Sequence, residues 1–280
     1  MHIVEIKPGI FGCLMNNETA NAGFVVTDRG VVVVDTLDKP ASARALAAAI
    51  AQRTGQPALF VINTHHHSDH VFGNQAFDAP IIAHHSLADE LASTMARDLS
   101  PLAIAAWVSK HPEDVWLAEE LEVRYPNLLF DDRLVLDLPP QKLILQHLGG
   151  HTPDSTVVDL PEQGVLFSGD LVFEGRVPFL RQASIETTVR ALNHLERLGP
   201  RQIVPGHGAV CDMAYVTRLR GYVEALQETV RDLIDQGVDR VGVIESERLP
   251  RWWTEDRPDL QRANVARVYD EISGGSSIAG

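Results

Sequence analysis

Apolar residues recur along this chain in two rhythms, one of strands and one of helices. Short β-branched runs at residues 22–27 and 31–35 are separated by Asp28-Arg29-Gly30, a hairpin-type turn. Residues 40–53 are rich in alanine with apolar positions at helical spacing, and Gly55 closes them. Leu59-Phe60-Val61-Ile62 reads as a buried strand, and Pro80-Ile81-Ile82-Ala83 as another. From Ser86 to about Tyr125 the spacing turns helical: Leu87, Leu91 and Met95, then Ile104, Trp107 and Val108, then Val115 to Leu121. This segment predicts a helical insertion on a strand-rich scaffold, either a pocket wall or a plain covering layer. Further strands are predicted at 134–138, 143–148, 156–159, 165–168 and 202–204, and helices at 185–198 and from Met213 to about 236 and beyond. The tail from Gly274 to Ser277 reads as disordered. Strands with intervening helices, given twice, predict an α/β fold of two similar sheet-plus-helix halves packed face to face. No linker divides the chain, so one domain is expected over 1–280, with the insertion at about 86–125 and C-terminal helices at about 213–272.

Composition narrows the function. The chain has 280 residues, 45% apolar and 22% charged, as in ordinary soluble domains. Its formal charge of −14 argues against nucleic acid, which needs a cationic face. No segment approaches the length of a membrane span, and the N-terminus lacks a basic leader with an apolar stretch, so a cytoplasmic protein is expected. Cys13 and Cys211 imply no disulfide framework.

The chemistry concentrates in Thr64-His65-His66-His67-Ser68-Asp69-His70, directly after the strand at 59–62. Neutral imidazole and carboxylate are the groups that bind zinc and related divalent metals. Ligand-type side chains this dense would each need a polar partner if merely packed. His66, between two of them, is read as pointing the other way. Three later segments place a ligand-type residue beside glycine near a strand end: Gly149-Gly150-His151, Gly169-Asp170 and Gly206-His207. Strand ends converge on one sheet edge, where open sheets carry their sites. His84 and His85 follow a strand and could line the same edge, whereas His147 reads as packing. Trp252 and Trp253 read as core or lid packing rather than substrate stacking.

In this order, Asp35, His65 to His70, His151, Asp170 and His207 resemble the five motifs of the metallo-β-lactamase fold superfamily, over roughly residues 1–212. The resemblance implies a four-layer αββα sandwich with a metal site along one edge. It implies that His65, His67 and His151 hold one metal, that Asp69, His70 and His207 hold a second, and that Asp170 bridges them. Asp35 resembles the family's acid that steadies the histidine loop. Two zinc ions are the expected cofactors, although such donors also accept iron or manganese. Zinc lowers the pKa of bound water to about 7, so the expected reaction is attack of hydroxide on a carbonyl, with Asp69 also orienting the water.

Within the superfamily, His67 stands where the diiron flavoproteins resemble this pattern with a glutamate. The segment from His151 through Asp154 to Val158 is similar to that of B1-type β-lactamases. Two departures follow: Asp170 replaces their metal-ligating cysteine, and Phe173 stands where their lysine grips the drug's carboxylate. Arg176 is the candidate replacement for that cation, and Phe173 a candidate substrate contact. Phe60, Phe173, Phe179 and Trp107 would make an apolar acyl pocket if they face the site. The reading is a dinuclear zinc hydrolase of a small-molecule lactam, lactone or thioester, with weak β-lactamase activity plausible. The alternatives are a single-iron persulfide dioxygenase, a phosphodiesterase, or a metal-binding but catalytically idle partner in a complex.

Overall fold

Strand pairing builds two sheets whose shared interior is apolar. The computed structural model of the chain describes residues 1–16, 19–252 and 257–274. Strands β1 (His2–Lys7), β2 (Ile10–Leu14), β3 (Ala22–Thr27) and β4 (Gly30–Val34) pair antiparallel in succession. Helix α1 (Pro40–Thr54) then crosses over to β5 (Ala58–Ile62), which pairs parallel with β4. Pro40 opens α1 where its missing N–H costs nothing, and Gly55 closes it in the left-handed conformation at φ 67°.

After β5 come the short helix α2 (Ser68–Val71), a 3₁₀ turn, and β6 (Ile81–His84), parallel to β5. The insertion follows as α3 (Leu87–Asp98), α4 (Pro101–Val108), a 3₁₀ turn at Pro112–Asp114 and α5 (Trp116–Glu119). It returns to β7 (Leu128–Phe130), which completes the seven-stranded sheet beside β6.

The second sheet holds β8 (Arg133–Leu138), β9 (Gln141–His147), β10 (Thr156–Leu160), β11 (Val165–Phe173) and β12 (Gln202–His207). Its pairings are antiparallel except β11 with β12, which α6 (Ile185–Leu198) connects. Helices α7 (Met213–Asp235), α8 (Arg240–Ile244) and α9 (Pro258–Ile272) follow.

The burial pattern explains the layering. Val32 and Val34 of β4 enter a cluster between the sheets with Ile62, Leu145, Val158 and Phe167, while Val31 and Val33 pack beneath Leu46 and Ile50 of α1. A strand buried on both faces reads as an unbroken apolar run, as Gly30–Val34 does. On the far side α6, α7 and α9 cover the second sheet. The result is the four-layer αββα sandwich.

Several boundaries differ from expectation. The strand predicted at 165–168 runs on through Gly169 and Asp170 to Phe173, with register shifts on either side of Gly169. The strand predicted at 202–204 reaches His207. The histidine run itself closes into a short helix that starts at Ser68. Among the described residues no helix is long and apolar enough to cross a membrane. Cys13 and Cys211 are free thiols. Trp252 is buried edge-on to Tyr222, ring centroids 4.8 Å apart; Trp253 and residues 275–277 lie outside the described residues.

One core position carries an avoidable cost. Asp159 of β10 is 5% exposed, has no hydrogen-bond or ionic partner among the described residues, and burial pushes its pKa up to about 6. An acid whose folded pKa is raised binds extra proton when folded, so stability falls as pH rises from about 4 to 6 and stays reduced above. Asp159→Asn is therefore expected to raise thermal stability at pH 7, on the order of 1 kcal/mol, with the gain vanishing near pH 4. Melting curves across that range test this; a gain that persists at pH 4 contradicts the assignment.

Candidate metal centre

The segments after β4, β5 and β9, together with β11 and the end of β12, deliver the histidines and carboxylates to a single edge of the sandwich. The backbone leaves β4 through Asp35 and Leu37, both at positive φ (57° and 71°). Non-glycine residues rarely adopt this conformation, and such strain concentrates at functional sites. The turn aims the Asp35 carboxylate beneath the histidine loop. Its Oδ1 accepts the Thr64 amide at 2.8 Å, and its Oδ2 accepts the Thr64 hydroxyl and His70 Nδ1, each at 2.7 Å.

Two groups of ligand-type atoms result. In the first, His65, His67, His151 and Asp170 bring one atom each within 4.8 Å of the others. His67 Nδ1 lies 3.1 Å from His65 Nε2 and 3.0 Å from His151 Nε2. In the second, Asp69, His70 and His207 gather in the same way. Asp170 lies between the groups. Its Oδ2 is 3.8, 3.5 and 3.4 Å from His65, His151 and His207 Nε2, and its Oδ1 is 3.2 Å from His70 Nε2. Gly206 makes room for that carboxylate, because a Cβ there would stand 1.9 Å from Asp170 Oδ1.

Outer hydrogen bonds decide which ring nitrogens face inward with lone pairs. His151 Nδ1 donates to the Phe179 carbonyl at 3.1 Å, and His70 Nδ1 to Asp35. The Thr64 hydroxyl, committed as donor to Asp35, accepts from His65 Nδ1 at 3.1 Å. His67 Nε2 meets Gln182 Oε1 at 2.5 Å. The inward nitrogens of His65, His67 and His151 are thus proton-free and face one another. His70 Nε2 and Asp170 Oδ1 are fully buried yet misaligned for a hydrogen bond, so each is orphaned. Converging lone pairs with orphaned buried donors and acceptors fit divalent metal ions, which take such N/O donor sets.

The electrostatics divide the groups. Burial, reinforced by neighbouring imidazoles, holds His65 well below its usual pKa; burial also lowers His67, and lowers His151 to about 3. All three are therefore neutral, the ligating form. Burial would raise Asp170 and Asp69, but His207 and His70 outweigh it, holding Asp170 well below the carboxylate range and Asp69 at about 2. The same carboxylates overcome burial at His70, raised well above its usual value, and at His207, raised to about 9.

Other predicted residues fall around this core. His66 does turn away, meeting Asp154 Oδ1 at 2.8 Å in a buried pair. His84 is buried and stacked on His147, centroids 3.6 Å apart, while exposed His85 pairs with Asp131 at 3.0 Å. Phe173 stacks on His207 and meets His151 edge-on, packing against the ligand-type residues. Arg176 Nη1 lies 3.4 Å from His207 Nδ1 and has no carboxylate partner among the described residues. Asp69, His207 and Arg176 open onto a cavity of about 1160 Å³ walled by the insertion. Of the four aromatic residues expected to form an apolar pocket, Trp107 alone lines it; Phe60 packs against the inter-sheet core. Asn21 was not foreseen. Its side chain donates to the carbonyls of Pro205 (3.0 Å) and Gly208 (2.9 Å), fastening the loop that carries His207 to the first sheet.

The sequence and the fold have known counterparts. Residues 16–207 match the sequence profile of the Metallo-beta-lactamase superfamily. The chain is 28% identical to the acyl-coenzyme A thioesterase MBLAC2 of Homo sapiens over 156 residues, 53% of this chain and 56% of that protein, so it spans little more than half that relative's length. Among solved structures, a metallo-beta-lactamase from Pontibacter korlensis superposes with TM-score 0.62 at 20% identity, covering 80% of this chain and 98% of that one. The sec-alkylsulfatase Pisa1 from Pseudomonas sp. superposes with TM-score 0.74 at 16% identity, covering 99% of this chain and 51% of that one. With a profile match over most of its length and the sandwich those neighbours share, the chain belongs to the metallo-beta-lactamase superfamily.

Proposed function

We propose that this protein is a metal-dependent hydrolase of a carbonyl substrate, a thioester first and a lactone or lactam next. The observation that carries the reading is the pair of adjoining donor groups joined at Asp170, opening through Asp69 and His207 onto one large cavity. His65, His67 and His151 would hold one divalent ion, Asp69, His70 and His207 a second, with Asp170 shared and zinc the first candidate. Bound there, such ions would lower the pKa of water and polarise a carbonyl oxygen.

The chain's own residues supply the rest. Asp69, ionised and facing the cavity, accepts the proton that water loses as its oxygen bonds to the carbonyl carbon. As the carbon–sulfur bond breaks, that proton is available to the departing thiolate. Arg176, on the same cavity wall and without a carboxylate partner among the described residues, offers a cation to an anionic part of the substrate. The thioester preference is supported by the likeness to a protein named as an acyl-coenzyme A thioesterase. Asp35 acts through His70 and Thr64, orienting the loop.

Metal analysis should find two divalent ions per chain, and a chelator should abolish hydrolysis until zinc is restored. Asp170→Ala and His65→Ala should each lower kcat/KM on butyryl-coenzyme A at least a thousandfold, with circular dichroism unchanged. Near-normal hydrolysis by either variant with metal bound overturns the assignment, as does a single iron with oxygen uptake on a persulfide. Asp35→Asn removes the full acceptor of His70 and should weaken metal affinity about 10- to 100-fold; an unchanged affinity in a metal titration would remove Asp35 from the scheme.

A further inference from the structure

The segment that supplies two of the histidines with outer partners has no secondary structure of its own. Residues 174–184, between β11 and α6, form neither helix nor strand. Within them Phe179 offers its carbonyl to His151 Nδ1, and Gln182 meets His67 Nε2. Such a segment keeps one shape only if its main-chain groups find partners elsewhere. Those partners come from α9, a helix beyond residues 16–207, which match the superfamily profile.

Asn264, Arg267 and Glu271 share one face of α9, spaced three and four residues apart. The Glu271 carboxylate accepts the Ile185 amide at 3.0 Å and the Glu186 amide at 3.3 Å, where α6 opens. Arg267 Nε donates to the Ala183 carbonyl at 2.8 Å, and its Nη2 to Glu271 at 3.0 Å. Asn264 is the deepest of the three, 0% exposed. Its Nδ2 donates to the Pro178 carbonyl at 2.7 Å, and its Oδ1 accepts the Leu180 amide at 3.0 Å, so the side chain brackets Phe179. Its buried neighbours on α9 are Val265 and Val268. An apolar side chain would fill such a position at less cost, since a buried amide is tolerated only with both ends bonded.

We propose that Asn264 is a positioning residue of the metal centre, holding the Phe179–Leu180 peptide plane so that its carbonyl orients His151. The inference deepens the metal-dependent reading and rests on it. The Leu180 N–H and the Phe179 carbonyl belong to one trans peptide unit, in which N–H and C=O point to opposite sides of a shared plane. Fixing the N–H on Asn264 therefore aims the oxygen at His151. Ring N–H, carbonyl, amide and Asn264 oxygen form a run of hydrogen bonds in which each polarises the next. The bond to Pro178 keeps Asn264 from swinging away. His151 thus keeps its proton on Nδ1 and presents Nε2 as the ligating atom.

Zinc titration against a competing chelator, and proton–nitrogen NMR of the metal-free full-length chain labelled at histidine, test this. The wild-type protein should show the His151 proton on Nδ1. Asn264→Ala should lower the affinity for one zinc equivalent about tenfold while sparing the other, and should leave His151 as a mixture of tautomers. Asn264→Asp keeps the size of the side chain and the acceptor for Leu180 but not the amide donor to Pro178, and should lose less. Val268→Ala, at a fully buried core residue of the same helix, should lower thermal stability and leave both readouts unchanged. A wild-type affinity or a wild-type His151 signal in Asn264→Ala overturns the assignment, as does an equal loss in Val268→Ala. Should Asn264→Ala not fold, the same results in Asn264→Asp overturn it. If the wild-type chain binds no zinc, the metal-dependent reading fails instead, while the His151 signal still decides whether Asn264 sets that ring.

Discussion

A buried carboxylate facing four imidazoles is the constraint around which this edge of the molecule is organised. Asp170 sits within 3.8 Å of His65, His70, His151 and His207, with Gly206 leaving the space its oxygens occupy. Removing an anion from water is costly, and proteins tolerate it where opposing charge and hydrogen bonds compensate. Here the compensation comes from rings carried by β12 and by the loops after β5 and β9. Both sheets must therefore close correctly before the charge is matched.

The two donor groups solve this problem differently. Around His67 the rings are neutral and their outer nitrogens are committed, so lone pairs already converge on one point. Around His207 the carboxylates of Asp69 and Asp170 keep protons on the rings. A proton can stand where a cation would, and its release accompanies loading of such a site. The first group is thus arranged as a metal site would be at neutral pH, while the second would have to give up protons to take an ion.

Much of this was legible in the sequence, for identifiable reasons. The density of His65, His67, Asp69 and His70 after an apolar strand leaves little but metal chemistry to explain it. Asp170 and His207 stood out because glycine flanks them where strands end. The outer partners were hidden: Thr64, Gln182 and the Phe179 carbonyl are ordinary groups that only tertiary contact brings to the rings. Strand β7 escaped notice because it is three residues long with two exposed leucines, and its place follows from pairing with β6. The continuation of β11 past Gly169 was masked by the glycine itself, which reads as a strand end while adopting φ 50° inside one. Helix α4 was recognised as helical, but periodicity does not reveal that an apolar helix stays unburied.

Asn21 carries a consequence for how the molecule tolerates motion. Just ahead of β3, it reaches across to the backbone on both sides of His207, at Pro205 and Gly208. Two backbone hydrogen bonds join the sheets at the same edge, Asn21 N–H to the Gly206 carbonyl at 2.6 Å and Thr156 N–H to the Thr64 carbonyl at 2.9 Å. With them, the Asn21 amide acts as a suture that fixes the spacing between His207 and the histidines of the first sheet. The covering helices take no part in this fastening, so the register between the two sheets at the rim is set by the sheets themselves.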